Sequence, residues 1–382
     1  MNIRIISSNS LPMLNGVAIN ATLRAAYLAR AGHDVTLVVP WLEPQEQHYV
    51  AANLVCSSPD AQRRCILDWL DANQLPAPAL QIAFFRAYYD RHYQLNFPRE
   101  LIEQITPQCD LLVLEEPEIL MGKRPWASIK QRFLLVIGII HTNYAEIAQH
   151  DRWLHRKLAS LYGRLGNSIA TRNCHKVITI DRLVEFPAAE VAYVVGIADE
   201  FFAQQQRTKT HLFYCAGRMD KFKGWQELAE LSANLRMEPI DVYNTPGRHQ
   251  DTILSSVAAH SAPLRFCGPT LQPARTFGKY KCLINPSRLE VLNTTTRQAL
   301  CMGQFVILPY EHCNLPYYQF PNCLVYRSPT EFERHVEYVR SHDPALVGNE
   351  IHSLSWQSAT ENLLEIAQNI ADDRGIVTLN RL

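Results

Sequence analysis

The chain of 382 residues is defined first by what it lacks. Its longest wholly apolar run is Phe133 to Ile140, eight residues, where a membrane-spanning helix needs about 20; no span across a bilayer is expected. The N-terminus, Met-Asn-Ile-Arg-Ile-Ile-Ser-Ser, has no basic segment leading into a long apolar core, so no signal peptide is expected. Net charge is absent too. Lys plus Arg and Asp plus Glu are both 37, which argues against non-specific nucleic-acid binding by the whole chain and leaves room for a local basic patch. The ten Cys form no C-x-x-C pair. Several stand inside apolar runs, as in Phe-Tyr-Cys-Ala-Gly, so they read as small buried hydrophobes in a reducing compartment and not as a disulfide frame or zinc site. G-x-G-x-x-G, G-x-x-x-x-G-K-[ST], H-E-x-x-H, G-x-S-x-G and D-x-D are all missing, which counts against the dinucleotide, P-loop, zincin and α/β-hydrolase chemistries.

What is present is an alternation of short apolar runs and helical patterns, with 47% apolar residues and 19% charged. Residues 3–6, 35–39 (stopped by Pro40), 111–114, 134–140, 177–180 and 193–195 read as strands, and a helix through Ala25, Leu28 and Ala31 closes at Gly32. Near-continuous apolar strands such as LLVL and LLVIGII mark a parallel sheet buried on both faces. The pattern then restarts. Residues 212–215, 240–243, 264–267, 282–284, 305–308 and 324–326 read as strands, with a helix from Trp225 to Leu235. The chain is therefore expected to be α/β, with two doubly wound Rossmann-like domains facing a cleft where the carboxyl ends of the strands bind ligands. The expected division is 1–195, 196–355, and a C-terminal helix, 356–382, packing back on the first domain.

Three loop signatures follow strands. Gly217-Arg218-Met219-Asp220-Lys221-Phe222-Lys223-Gly224 enters a helix; its glycines allow close backbone approach, and its two cations, Arg218 and Lys223, can bracket a diphosphate. A solvated basic turn is the plainer reading. Asn285 to Gly303 holds Glu290 and three successive threonines, Thr294, Thr295 and Thr296, before a helix; capping explains one threonine but not three, and the pattern suits hydroxyls and phosphates. In Gly138 to Tyr144, His141 follows a buried strand in a loop facing the expected cleft, although a capping or core histidine would look the same.

Together these segments resemble the retaining GT-B glycosyltransferases of family GT4, and more closely the digalactosyldiacylglycerol synthases. The matching segments are SLPMLNGVAIN, RAAYLARAGHDVTLVVPWL, LEEPE, VIGIIHTNY, Arg218 to Gly224, LINPSRLEVLNTTT, ALCMG and FPNCLVY; they occur in the family's order and are spread over most of the chain, from Ser10 to Tyr326. The resemblance implies a GT-B fold and transfer of galactose from UDP-galactose to monogalactosyldiacylglycerol with retention. It implies that Gly16 lies beside the donor diphosphate, that His141 contacts the donor sugar, and that Arg218 and Lys223 neutralise the diphosphate in place of a metal, so that no cofactor or metal is required. Glu290 would be the first acid of a pair, on the hexose, with Thr294 and Thr295 in the donor site. The second acid, on the ribose, falls at Gln298. An amide oxygen accepts from a hydroxyl without a carboxylate's charge, which bears on donor preference and keeps open another nucleotide sugar, another glycolipid or saccharide acceptor, or a non-catalytic sugar-nucleotide-binding paralogue. Asn15, Glu116, Asn143 and Tyr144 are candidates for the acceptor side.

Residues 152–176 contain six cations, no Asp or Glu, and interleaved apolar residues; Trp153, Arg156, Lys157 and Arg164 are candidates for contact with an anionic membrane. The aromatic and basic stretch 84–97 reads the same way. An ordinary helix packed on the core is the alternative. The expected setting is cytoplasmic with peripheral membrane association, and the expected partners are a UDP-sugar donor and a glycolipid acceptor, without nucleic acid.

Overall fold

The computed structural model describes residues 1–376 except 14, 51–54, 92–94, 101, 103–106, 123–127, 142–152, 182–185, 234, 236, 246, 248, 271 and 346–347. The chain forms two compact units. Met1–Gly196 and Trp356–Leu382 make one, and Ile197–Ser355 the other.

The first unit is built on a sheet of β1 (Asn2–Ser7), β2 (Asp34–Trp41), β3 (Gln81–Asp90), β4 (Leu95–Pro98), β5 (Leu111–Glu115), β6 (Leu135–Ile140), β7 (Lys176–Thr179) and β8 (Glu190–Val191). The order is β4-β3-β2-β1-β5-β6-β7-β8. Every pair is parallel except β3 with β4. Ile5 of β1 lies beside Leu37 on one side and Val113 on the other. All residues of β5 and β6 are buried, which is why their sequences are unbroken by polar positions until Glu115 ends β5. Gly138 in β6 is needed for space: a Cβ there would lie 2.7 Å from Cys174 Sγ and 2.8 Å from Pro117 Cγ. The helix Gly16–Arg30 is capped by Asn15, whose side chain accepts from Ala18 N at 2.9 Å. The C-terminal helix Trp356–Asp373 buries Trp356, whose ring stacks on Tyr27 of the helix Gly16–Arg30 with centroids 6.0 Å apart.

The second unit has β9 (His211–Arg218), β10 (Ile240–Thr245), β11 (Leu264–Phe266), β12 (Tyr280–Ile284), β13 (Phe305–Pro309) and β14 (Cys323–Tyr326), all parallel, in the order β11-β10-β9-β12-β13-β14. Phe213, Cys215, Val242, Cys282 and Ile284 from the sheet pack with Trp225 and Leu228 of the helix Trp225–Ala233 to form its core.

Two local expectations change. Residues 193–195 are not a strand; the sheet ends at the exposed pair Glu190–Val191, while Val194 is buried and gives its carbonyl to Arg24. β2 runs through Pro40 to Trp41, because β1 pairs with it only as far as Val38 and a proline beyond that point forfeits no ladder bond on that side. The stretch 84–97 supplies β3 and β4, an antiparallel edge pair in which Tyr88 and Phe97 stand opposite each other with rings 5.8 Å apart. Its aromatics come in adjacent pairs, Phe84–Phe85 and Tyr88–Tyr89, and so fall on both faces of β3.

Among the described residues no helix is long and apolar enough to cross a membrane. The ten cysteines are all free, seven of them buried.

Candidate active site

Each sheet reverses its strand order at one point, between β1 and β5 in the first unit and between β9 and β12 in the second. In doubly wound sheets ligands bind outside the carboxyl ends of the strands at that point, and most of the candidate residues lie on the loops there.

In the second unit the loop after β9 is held by its backbone. Asp220 N donates to Arg218 O at 2.8 Å, Lys223 N donates to Asp220 O at 3.1 Å, and Trp225 Nε1 donates to Arg218 O at 3.0 Å. Gly224 adopts φ +72°, and a Cβ there would sit 2.2 Å from Pro286 O; only glycine lets this loop press against the one after β12. Arg288 N and Ser287 Oγ both donate to Phe222 O, at 3.2 and 3.3 Å. Two segments more than sixty residues apart in sequence are thereby brought together, and Lys223 Nζ forms an ion pair with Glu290 Oε1. Arg218 pairs with Asp220; its side chain is 61% exposed, against 4% for Asp220. Both cations proposed for a diphosphate thus have carboxylate partners within the unit, and Asp220 was not visible as a participant in the sequence.

The threonine run divides. Asn293 caps the helix Thr294–Cys301 by accepting from Thr296 N at 3.2 Å, and Asn285 Nδ2 donates to Asn293 Oδ1 at 2.9 Å and to Thr296 Oγ1 at 3.1 Å. Thr296 is buried scaffold. Thr294 is exposed and donates to Leu292 O at 3.0 Å, Thr295 is half-buried, and Gln298 is half-buried one turn after Thr294.

In the first unit three acidic residues follow β5, and each has a different environment. Glu115 is 0% exposed. Its Oε1 accepts from Arg24 Nε at 2.6 Å and its Oε2 lies 2.5 Å from His141 Nε2. Burial alone would raise its pKa; the Arg24 charge and the hydrogen bonds from Arg24 and His141 outweigh it and draw the carboxyl down to about 2. Glu116 has φ 65°, left-handed backbone that a non-glycine residue seldom adopts. Its Oε2 accepts from Ser8 Oγ at 2.5 Å and from Asn9 Nδ2 at 3.4 Å, tying the loop after β5 to the end of β1. Glu118 buries both carboxyl oxygens without a hydrogen-bond partner among the described residues. Burial, and then the charge of Glu116, hold its pKa well above the usual carboxylate range.

Asn15, expected on the acceptor side, spends its oxygen on the helix cap. Gly16 is exposed, and a Cβ there would meet nothing within 4 Å. Asn143 and Tyr144 lie outside the described residues, as do the side chains of Trp153, Arg156 and Lys157. Arg164 is exposed on the helix Trp153–Asn173, beside Leu165 at 44% exposure. Among the described residues no three His, Cys, Asp or Glu side chains group as a metal site. Sequence reading missed Glu115 as the partner of His141, and Arg24 behind it. Only the LEEPE acidic cluster hinted at the former; nothing hinted at a buried helix arginine.

No family model matches the chain. It is 32% identical over 397 residues to digalactosyldiacylglycerol synthase 2, chloroplastic, of Lotus japonicus, covering 96% of this chain and 83% of that protein. It is 32% identical over 391 residues to digalactosyldiacylglycerol synthase 1, chloroplastic, of Arabidopsis thaliana, covering 95% of this chain and 47% of that one. Among solved structures, sucrose-phosphate synthase from Thermosynechococcus elongatus superposes with a TM-score of 0.66 at 14% identity, covering 98% of this chain and all of the other. Anabaena HepE in complex with UDP and glucose gives a TM-score of 0.58 at 12% identity, with 98% and 99% coverage. At such identities these structures speak to the fold, which is GT-B.

Proposed function

The chain belongs to the digalactosyldiacylglycerol synthase family, and on that premise we propose that it moves galactose from UDP-galactose to monogalactosyldiacylglycerol with retention at the anomeric carbon. At the coarser level it is a glycosyltransferase, a galactosyltransferase of glycolipid synthesis. The observation that carries the finer reading is the convergence of the Arg218–Gly224 loop and Glu290 where β9 and β12 adjoin.

In this reading Arg218 and Lys223 face the diphosphate, whose charge grows as it leaves. Fixed cations stabilise that developing charge most where water is excluded. Glu290, Thr294 and Thr295 meet the donor's hydroxyls, Gln298 accepts from the ribose in place of a carboxylate, and His141 takes a hexose hydroxyl. The departing phosphate oxygen can accept the acceptor hydroxyl's proton, so no separate base is required. No divalent metal is required either: activity should survive EDTA, and loss in EDTA restored by manganese would contradict this. The protein works in this reading as a cytoplasmic, peripheral membrane enzyme, with Trp153, Arg156, Lys157 and Arg164 toward anionic lipid. Glu116 is bound to Ser8 and Asn9, so its part on the acceptor side is to shape the loop.

The test is incubation of purified protein with labelled UDP-galactose and monogalactosyldiacylglycerol. Labelled digalactosyl lipid is the expected product. Transfer only from a different nucleotide sugar, or only to a different acceptor, would replace this assignment. UDP-sugar binding without transfer from any donor would identify a non-catalytic paralogue.

A further inference from the structure

The roles above leave Glu115 unused, although it is the most enclosed charged group at the carboxyl edge of the first sheet. Both of its oxygens are committed, Oε1 to Arg24 Nε and Oε2 to His141 Nε2. Arg24, also 0% exposed, gives a further hydrogen to Val194 O, and its guanidinium lies 5.5 Å from the ring centroid of Trp356. The arginine is thus fixed on its far side by the end of the crossover and by the C-terminal helix. It supplies the charge that keeps Glu115 ionised in a dry site.

An ionised carboxylate can only accept hydrogen bonds. The ring nitrogen of His141 facing Glu115 must therefore carry a hydrogen, and in the neutral ring the lone pair is left on Nδ1. Among the described residues no group bonds Nδ1. A histidine serving only as core would have both nitrogens satisfied. His141 stands directly after β6, 6% exposed, at the edge where ligands of such sheets bind.

We propose that Glu115 is a positioning residue: it holds His141 as the Nε2–H tautomer, so that Nδ1 accepts a hydrogen bond from a hydroxyl of the sugar substrate. This rests on the reading of His141 as a sugar contact and adds which hydrogen-bonding role the histidine plays and what enforces it.

The tautomer is measured on full-length protein labelled with 15N-histidine, the His141 signals being assigned by their loss in His141→Gln. The wild-type spectrum near neutral pH should show a protonated Nε2 and a bare Nδ1; an Nδ1–H ring or an imidazolium would overturn the proposal. Glu115→Gln keeps the shape and inverts the pattern. Its amide oxygen must face Arg24, so its NH2 faces the ring, Nε2 becomes the acceptor and the hydrogen moves to Nδ1. The expected result is an inverted 15N pattern, UDP affinity unchanged within about twofold, and kcat for galactose transfer lower by about tenfold or more with a smaller change in KM. Inversion with undiminished kcat would overturn the proposal. If Glu115→Gln fails to fold, the wild-type spectrum decides. A wild-type protein that transfers no galactose would remove the functional reading, while the spectrum still judges the Glu115–His141 arrangement by itself.

Discussion

At the scale of single residues, the candidate loops of the second unit turn on Lys223 and Glu290. Their ion pair joins two loops and leaves each side chain less than a fifth exposed. A diphosphate arriving at Lys223 competes with Glu290 for the same ammonium. Lys223→Ala should therefore weaken UDP and slow transfer together, by about two decades in kcat/KM, the scale of losing one buried donor beside developing charge. Glu290→Gln should slow transfer while leaving UDP affinity at or above the wild-type value, because the lysine is then unmasked. Calorimetric UDP titration beside single-turnover rates separates the two; equal weakening of UDP by both substitutions would take Glu290 off the sugar. Gly16 poses the complementary case. Its backbone is not left-handed, and a methyl group there meets nothing, so Gly16→Ala should fold with unchanged thermal stability. If a ligand approaches that backbone, the variant should raise KM for the donor. An unchanged KM would show that the glycine has no role in binding.

At the scale of elements, the loop after β5 sets three acids in three states, and the pH dependence of stability should show two of them with opposite sign. Glu115 is pulled down to about 2, so the stability it contributes is present above its unfolded value of about 4.3 and is lost as pH falls toward 2. Glu118 is pushed up. Its folded form binds a proton that the unfolded chain has already released, so its contribution is full below about 4.3 and is lost as pH rises through the raised value. Urea midpoints measured from pH 4 to 8 should fall toward the alkaline end in the wild type, and less in Glu118→Gln, which carries no charge to bury. Parallel curves for the two proteins would mean that Glu118 ionises freely in the fold. The same elements show what was legible from the chain alone. β5 and β6 could be read because strands buried on both faces are near-continuously apolar, in β5 as far as Leu114. β3 and β4 could not be read this way, because the aromatics of β3 come in adjacent pairs, Phe84–Phe85 and Tyr88–Tyr89, with Arg86 between them, so neither an unbroken apolar run nor a period of two marks the strand.

At the scale of the whole molecule, a net charge of zero conceals an uneven distribution. The acid-free segment 152–176 lies mostly on the helix Trp153–Asn173, where Arg164 and Leu165 are both exposed. The protein should sediment with anionic vesicles and be released by salt, since the screening length shortens from about 10 Å at 0.1 M to about 3 Å at 1 M. Binding to neutral and anionic vesicles alike at every salt concentration would leave no role for these cations.

The sequence by itself determined the alternation of strands and helices, the parallel core of both sheets and the loops that follow β6, β9 and β12, because each depends on local periodicity and on glycines whose conformation is set within a few residues. It also held the family resemblance, which is a matter of ordered segments. Only the tertiary structure decided which side chains meet. Glu115 reaches His141 across 26 positions and Arg24 across 91, and Lys223 reaches Glu290 across 67. Ser8 and Asn9, more than a hundred residues before Glu116, bond to its side chain. Such pairings follow from strand order. β1 lies beside β5, and β9 beside β12, through crossovers whose register no local pattern encodes. The difference between Glu115, whose pKa is drawn down, and Glu118, whose pKa is pushed up, three residues apart, likewise arises from what each carboxyl is buried against.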